Sequence, residues 1–181
     1  NKVKTFVYIS STTVEYPEEY MGIAHMKQYG EHLCAFYRKK YGMRTIIIRP
    51  CNAYGPHDKF DERSHFIPAL IKRALKKEKP FTVWGDGTYK RNIIYAEDLA
   101  KEIIGVIERE KEFAVIGGTE TTVGDIAELI LKLTGHETEI TFDTAKPDAI
   151  KVNLPKVTIT NNDTSLEEGL RKTIEWYRMK S

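Results

Sequence analysis

The segment Arg49-Pro50-Cys51-Asn52-Ala53-Tyr54-Gly55-Pro56 constrains this chain more than any other. It closes a β-branched run, Thr45-Ile46-Ile47-Ile48. A buried strand that ends in Pro, Asn and Gly-Pro opens into an irregular loop. In open α/β sheets, ligands bind in the crevice outside the carboxyl ends of the strands. This loop is therefore the first place to look for a site.

The rest of the chain alternates strand-like and helical runs. Strands are expected at Lys4–Ser10, Thr45–Ile48, Phe81–Trp84, Asn92–Tyr95, Ala114–Ile116 and Glu139–Phe142. Helices are expected at Met21–Lys40 with Gly42 as a stop, Phe66–Lys77, Glu97–Arg109, Val123–Thr134 ended by Gly135, and Leu166–Met179. Thr121 or Thr122 can cap the fourth helix, and Thr164 or Ser165 the last. Ile67, Leu70, Ile71 and Ala74 recur at helical spacing, which gives the second helix one apolar face. Such alternation predicts an α/β fold with a largely parallel sheet.

Composition excludes several classes. A net charge of +2 on 181 residues gives no global attraction to nucleic acid or membranes. No apolar run approaches the ~18 residues of a membrane-spanning helix. Two cysteines, Cys34 and Cys51, make no disulfide framework, so a reducing, cytoplasmic setting is the default. The Lys72–Lys79 basic cluster lacks the aromatic interleaving of a nucleic-acid binder and reads largely as a solvated helix face.

Several groups could carry chemistry. Ser10-Ser11-Thr12-Thr13 follows the first strand; hydroxyls there can donate to a substrate oxygen or simply bond the local backbone. Lys27 alone reads as a surface lysine. Arg91 follows the Gly85-Asp86-Gly87 turn, where a guanidinium suits bidentate phosphate binding or a surface ion pair. Cys51 reads equally well as an inert buried thiol, without a nucleophilic role.

Taken together, these motifs resemble the extended short-chain dehydrogenase/reductase family, the NAD(P)-dependent epimerases and dehydratases of nucleotide sugars. The opening segment is similar to its Arg-Pro-x-Asn-x-Tyr-Gly-Pro. Ile9-Ser10-Ser11-Thr12-Thr13-Val14 is similar to its Ser-Ser-x-x-Val-Tyr. Trp84-Gly85-Asp86-Gly87, Arg91 and Glu97-Asp98-Leu99-Ala100 match its Trp-Gly-x-Gly…Arg…Asp-Leu-Ala run. The resemblance implies a catalytic role for Ser11 and for Lys27, the latter also touching the nicotinamide ribose. It implies that Pro50 and Cys51 line the nicotinamide of NAD or NADP, and that Asn52, Trp84 and Arg91 bind a nucleotide-diphosphate sugar. Within the family, Gly55-Pro56-His57-Asp58-Lys59-Phe60, Ser64-His65-Phe66-Ile67-Pro68-Ala69-Leu70 and the tail segments 142–148 and 164–170 resemble the GDP-fucose synthase group. That likeness implies substrate roles for His65 and Arg73. A homodimer through the Met21–Lys40 helix is a further implication.

Four departures stand out. Aligning on Gly30-Glu31 puts Ile23 where the family carries its proton-transferring Tyr, and Tyr20, seven residues before Lys27, is too far along the helix axis to pair with it. Thr12 stands where the synthase group has an epimerising Cys. The interval from Ser11 to Ile23 is much shorter than in the family, which predicts a discontinuity in the backbone between residues 14 and 21. No Gly-x-x-Gly-x-x-Gly run is present, and Gly117-Gly118 is not one. The chain thus reads as the C-terminal part of a Rossmann-type doubly wound sheet plus a small α/β substrate-binding domain, without the adenine half of the cofactor site. Residues 1–56 and 88–110 are expected in the former, and 57–87 and 111–181 in the latter. The alternative function is a non-catalytic nucleotide-sugar-binding or partner subunit that lacks the Tyr.

Overall fold

The computed structural model describes residues 3–146 and 155–180. Pro147 and Asp148, part of the tail likeness, lie outside the described residues. Nine strands and five helices follow one another as β1 (Thr5–Ile9), α1 (Pro17–Tyr41), β2 (Arg44–Pro50), β3 (Asn52–Tyr54), α2 (Phe66–Leu75), β4 (Phe81–Trp84), β5 (Lys90–Tyr95), α3 (Ala96–Glu108), β6 (Phe113–Gly117), β7 (Thr119–Thr122), α4 (Val123–Thr134), β8 (Ile140–Asp143), β9 (Ile159–Thr160) and α5 (Leu166–Lys180), counted among the described residues. A single 3-10 turn at Thr12–Glu15 links β1 to α1.

The main sheet is parallel throughout, in the order β1-β2-β6-β9. β1 occupies one edge and leaves Phe6 and Ile9 exposed. A second sheet, β3-β5-β7, pairs β3 with β5 in parallel and β5 with β7 antiparallel. β4 and β8 form a parallel pair. Two apolar cores result. Ile46, Ile48, Ile94, Val106, Ala114 and Ile116 pack under the main sheet. Ile71, Phe81, Ile126, Ile130, Leu170 and Ile174 centre the other. Each buried Val, Ile, Leu or Phe among them contributes about 1.5–3 kcal/mol through area removed from water. β6 and β9 fall in the 111–181 segment, yet both hydrogen-bond into the main sheet.

Local chemistry explains the boundaries. α4 starts at Thr122, whose hydroxyl accepts from Asp125 N (3.0 Å) while the Asp125 carboxylate accepts from Thr122 N (3.3 Å). It ends at Gly135, whose φ of +61° suits only glycine well. At α5 it is Ser165 whose hydroxyl accepts, from Glu168 N. The buried Asp98 at the start of α3 accepts from Thr164 N (2.9 Å) and from Lys101 Nζ (3.2 Å), tying α3 to the loop before α5.

The expected discontinuity between residues 14 and 21 is not found: the backbone runs unbroken from β1 through the 3-10 turn into α1. Helix begins at Pro17 rather than Met21, because a proline at the first helical position has no N–H to satisfy and a preset φ. The irregularity is concentrated at Met21, with φ 27° and ψ −109°, where two helical segments join. A non-glycine residue there stores on the order of 1–3 kcal/mol of backbone strain.

Candidate active site

Parallel pairing of β1 with β2 puts their carboxyl ends on one side of the sheet. Ser11 follows β1 there, Pro50 ends β2, and Cys51 and Asn52 come directly after it. The 3-10 turn and the first turn of α1 bring Tyr16 and Tyr20 over the same point. Together with Tyr89 and Arg91 they enclose a cavity of about 90 Å³. A second cavity, of about 430 Å³, lies between Asn52, Asp58, His65 and Arg91. A third, of about 850 Å³, lies between Arg73, Trp84, Tyr89 and Arg91. Arg91 is the wall common to all three, so they adjoin as one crevice.

The charge pattern of the crevice centres on Arg91. Its Nε is buried and has no hydrogen-bond partner among the described residues. The guanidinium lies 5.2 Å from the Tyr89 ring centre. Arg73, by contrast, is already held by Glu78 at 2.7 Å and lies over Phe81. Asn52 donates from Nδ2 to the Asn92 carbonyl (3.0 Å), which fixes its amide plane and leaves Oδ1 for a ligand. Trp84 is 60% exposed, with the Lys146 ammonium 6.0 Å above its ring.

At the small cavity, Ser11 Oγ accepts from Thr13 N (3.2 Å) and from Thr13 Oγ1 (2.9 Å), which leaves its own proton to donate. Burial, reinforced by the negative charges of Glu15 and Glu120, pushes the Cys51 thiol up to about 12. It is therefore a neutral wall and not a nucleophile. Burial also raises the Tyr20 phenol, with Arg91 pulling the other way. Behind the cavity, Ser10 donates to Glu31, and Arg49 grips the same carboxylate.

Of the residues singled out in the sequence, Ser11, Pro50, Cys51, Asn52, His65, Arg73, Trp84 and Arg91 all line this crevice. Lys27 does not: its Nζ donates to the Ile9 carbonyl (2.7 Å) and lies over the Tyr8 ring. Ile23 is 60% exposed and lines none of these cavities. Tyr20, set aside in the sequence for its distance from Lys27, is in the crevice wall with Ser11. Tyr16, Tyr89 and Asp58 carried no sequence signal of their own.

The profile of the NAD dependent epimerase/dehydratase family matches residues 1–117. The chain belongs to that family. Among the family's curated members it is 36% identical over 163 residues to the GDP-L-fucose synthase of Sinorhizobium fredii, covering 81% of this chain and 51% of that protein. With the GDP-L-fucose synthase of Escherichia coli it shares 34% over 170 residues, covering 82% and 53%. The chain thus spans about half the length of the curated relatives it matches. Solved structures share the fold. UDP-glucose 4-epimerase from Thermotoga maritima superposes with a TM-score of 0.82 at 23% identity, over 98% of this chain and 64% of that one. A GDP-6-OMe-4-keto-L-xylo-heptose reductase from C. jejuni gives 0.84 at 21%, over 100% and 72%.

The family's cofactor can be tested against the residues present. Pro50, the neutral Cys51 thiol and the Ser11 hydroxyl together line the 90 Å³ cavity at the carboxyl ends of β1 and β2. That fits the nicotinamide end. The Gly117-Gly118 pair does not fit the cofactor's pyrophosphate. At Gly118, an added Cβ would lie 2.4 Å from the Ile93 carbonyl oxygen, so the Gly117-Gly118 pair is packed against β5 and not open to a phosphate.

Proposed function

We propose that this chain forms the substrate side of an NAD(P)-dependent nucleotide-sugar epimerase, dehydratase or reductase. The observation that carries the reading is Arg91, a guanidinium with a buried, unpartnered Nε at the junction of three adjoining cavities. Such a group is stabilised by an anion that accepts from it, and a diphosphate matches its fork. The nucleotide would lie towards Trp84 and Arg73, and the sugar towards Asn52, His65 and Ser11. Bound at Pro50 and Cys51, the nicotinamide would supply hydride acceptance and donation. Ser11 would hold the reacting sugar oxygen by donating its free proton. Lys27, on α1 with its Nζ at the carboxyl end of β1, would reach the ribose after leaving the Ile9 carbonyl.

The main-sheet core, residues 1–56 and 88–110 joined by β6 and β9 of the 111–181 segment, is read as the cofactor-side body, and the other core, centred in residues 57–87 and the rest of 111–181, as the substrate-side body. A homodimer through the exposed row Met26, Tyr29, Leu33 and Phe36 of α1, and a cytoplasmic setting, complete the reading. The exposure of Ile23 favours a second reading, a nucleotide-sugar-binding subunit without turnover.

Titration of the full chain with GDP- and UDP-sugars by calorimetry, followed by assay of hydride exchange with NADPH, tests both. Binding with turnover supports the enzyme, and binding without turnover the subunit. Failure of every nucleotide sugar to bind, or equal binding by Arg91→Ala, overturns both.

A further inference from the structure

The loop between β3 and α2 sets Asp58, a side chain without a role so far, against His65, which is already placed on the sugar side of the crevice. Asp58 sits in the turn after Gly55-Pro56, with its N–H directed at the Gly55 carbonyl. Its Oδ1 accepts from Lys59 N (2.7 Å) and meets His65 Nδ1 at 3.1 Å. The two partners differ sharply in exposure: the Asp58 side chain is 15% exposed and that of His65 73%. A carboxylate buried beneath an exposed imidazole is not the arrangement of a casual surface pair, in which both ends are solvated. His65 is also the residue before the first turn of α2, yet its side chain makes no capping bond. The ring is thus held by Asp58 and by nothing in the helix.

The loop is fastened at its far side as well. The His57 ring lies 4.8 Å from Trp176, and Phe60 stacks on Tyr177 at 4.2 Å, both on α5. Asp58 is therefore a fixed point from which the imidazole is aimed. Asp58 and His65 both line the 430 Å³ cavity, where Arg91 is the other charged group.

We propose that Asp58 is a positioning residue for His65. By accepting from Nδ1–H it selects one tautomer and leaves the Nε2 lone pair free at the cavity. A proton leaving a carbon or hydroxyl of the bound sugar goes to Nε2, its electron pair stays on the sugar, and the imidazolium later returns the proton. The Asp58 carboxylate offsets the charge of the imidazolium. The proposal rests on the nucleotide-sugar reading for its substrate but not for its first test.

That test is a long-range proton–nitrogen NMR spectrum of the histidine rings in the full, ligand-free chain, with His65 assigned by His65→Gln. The expected result is a single Nδ1–H tautomer that becomes a mixture in Asp58→Asn and is restored in Asp58→Glu. A mixture in the unmodified chain, or an unchanged tautomer in folded Asp58→Asn, overturns the proposal. If Asp58→Asn does not fold, the unmodified chain and Asp58→Glu decide it alone. The second test follows deuterium entering a keto nucleotide sugar from heavy water. Asp58→Asn is expected to lower kcat about tenfold with KM unchanged, and Asp58→Glu to recover part of it. A raised KM with unchanged kcat overturns the positioning role. Absence of exchange in the unmodified chain counts against the enzyme reading instead, and the tautomer result then stands by itself.

Discussion

Arg49 holds Glu31 with two arms, Nε to Oε1 at 2.8 Å and Nη2 to Oε2 at 2.7 Å. Arg49 ends β2 and Glu31 lies on α1, so this fork sets how the helix sits against the strand that opens into the crevice. Both side chains are largely covered. Burial alone would raise the Glu31 carboxyl, but hydrogen bonds from Arg49 and Ser10 outweigh it and hold it below the usual carboxylate range. A carboxyl lowered by folding contributes stability above its unfolded pKa and loses it as pH falls through the folded value. Glu31→Gln is expected to cost roughly 2 kcal/mol at pH 7. Urea midpoints of the two proteins should converge in acid; a constant gap from neutral pH to pH ~3 would contradict this linkage.

Arg91 should separate binding from stability. Arg91→Met removes a buried donor that has no partner, so the melting temperature is expected to hold or rise slightly. Affinity for a nucleoside diphosphate should fall at least tenfold, the loss of a charge-assisted fork worth about 1.5–3 kcal/mol. Calorimetry alongside thermal melting checks both. A variant that melts much lower while still binding would reverse the assignment.

Neither cysteine should react while the chain is folded. Cys34 and Cys51 are buried, and burial raises both thiols. Dithionitrobenzoate at pH 8 is expected to modify neither in buffer and both in urea. Rapid native labelling of Cys51 would show a thiolate that this environment does not support.

Thr122→Ala should cost about 1 kcal/mol, since it leaves the Asp125 amide without its acceptor at the start of α4. Thr122→Ser keeps the oxygen and should cost little. Denaturation midpoints of the two variants give the comparison, and equal losses would mean that the methyl matters more than the cap.

How much of this was legible depends on the length of the signal. Val123–Thr134 with Gly135, and Phe81–Trp84, stand where periodicity and caps put them. Asn52–Tyr54, Thr119–Thr122 and Ile159–Thr160 did not register, because two to four residues carry no periodicity and their pairing comes from distant partners. The start of α1 was misread because Glu18 and Glu19 look like loop residues until Pro17 is seen as the first helical position. Residue types named the crevice walls, but only tertiary folding brings Arg91 beside both Asn52 and Trp84. Asp58 was hidden for a related reason: seven positions along an irregular loop have no fixed direction, so nothing local says that it meets His65.

The exposure of Trp84 has an optical consequence. The chain has two tryptophans, and they report on different events. Trp84 faces the crevice under Lys146, where an aromatic base laid against it would quench its emission. Trp176 is held against His57 and Phe60, so its emission shifts to the red only when α5 parts from the loop. Quenching at constant wavelength signals occupancy, a red shift signals loosening, and one unlabelled fluorescence titration can tell them apart.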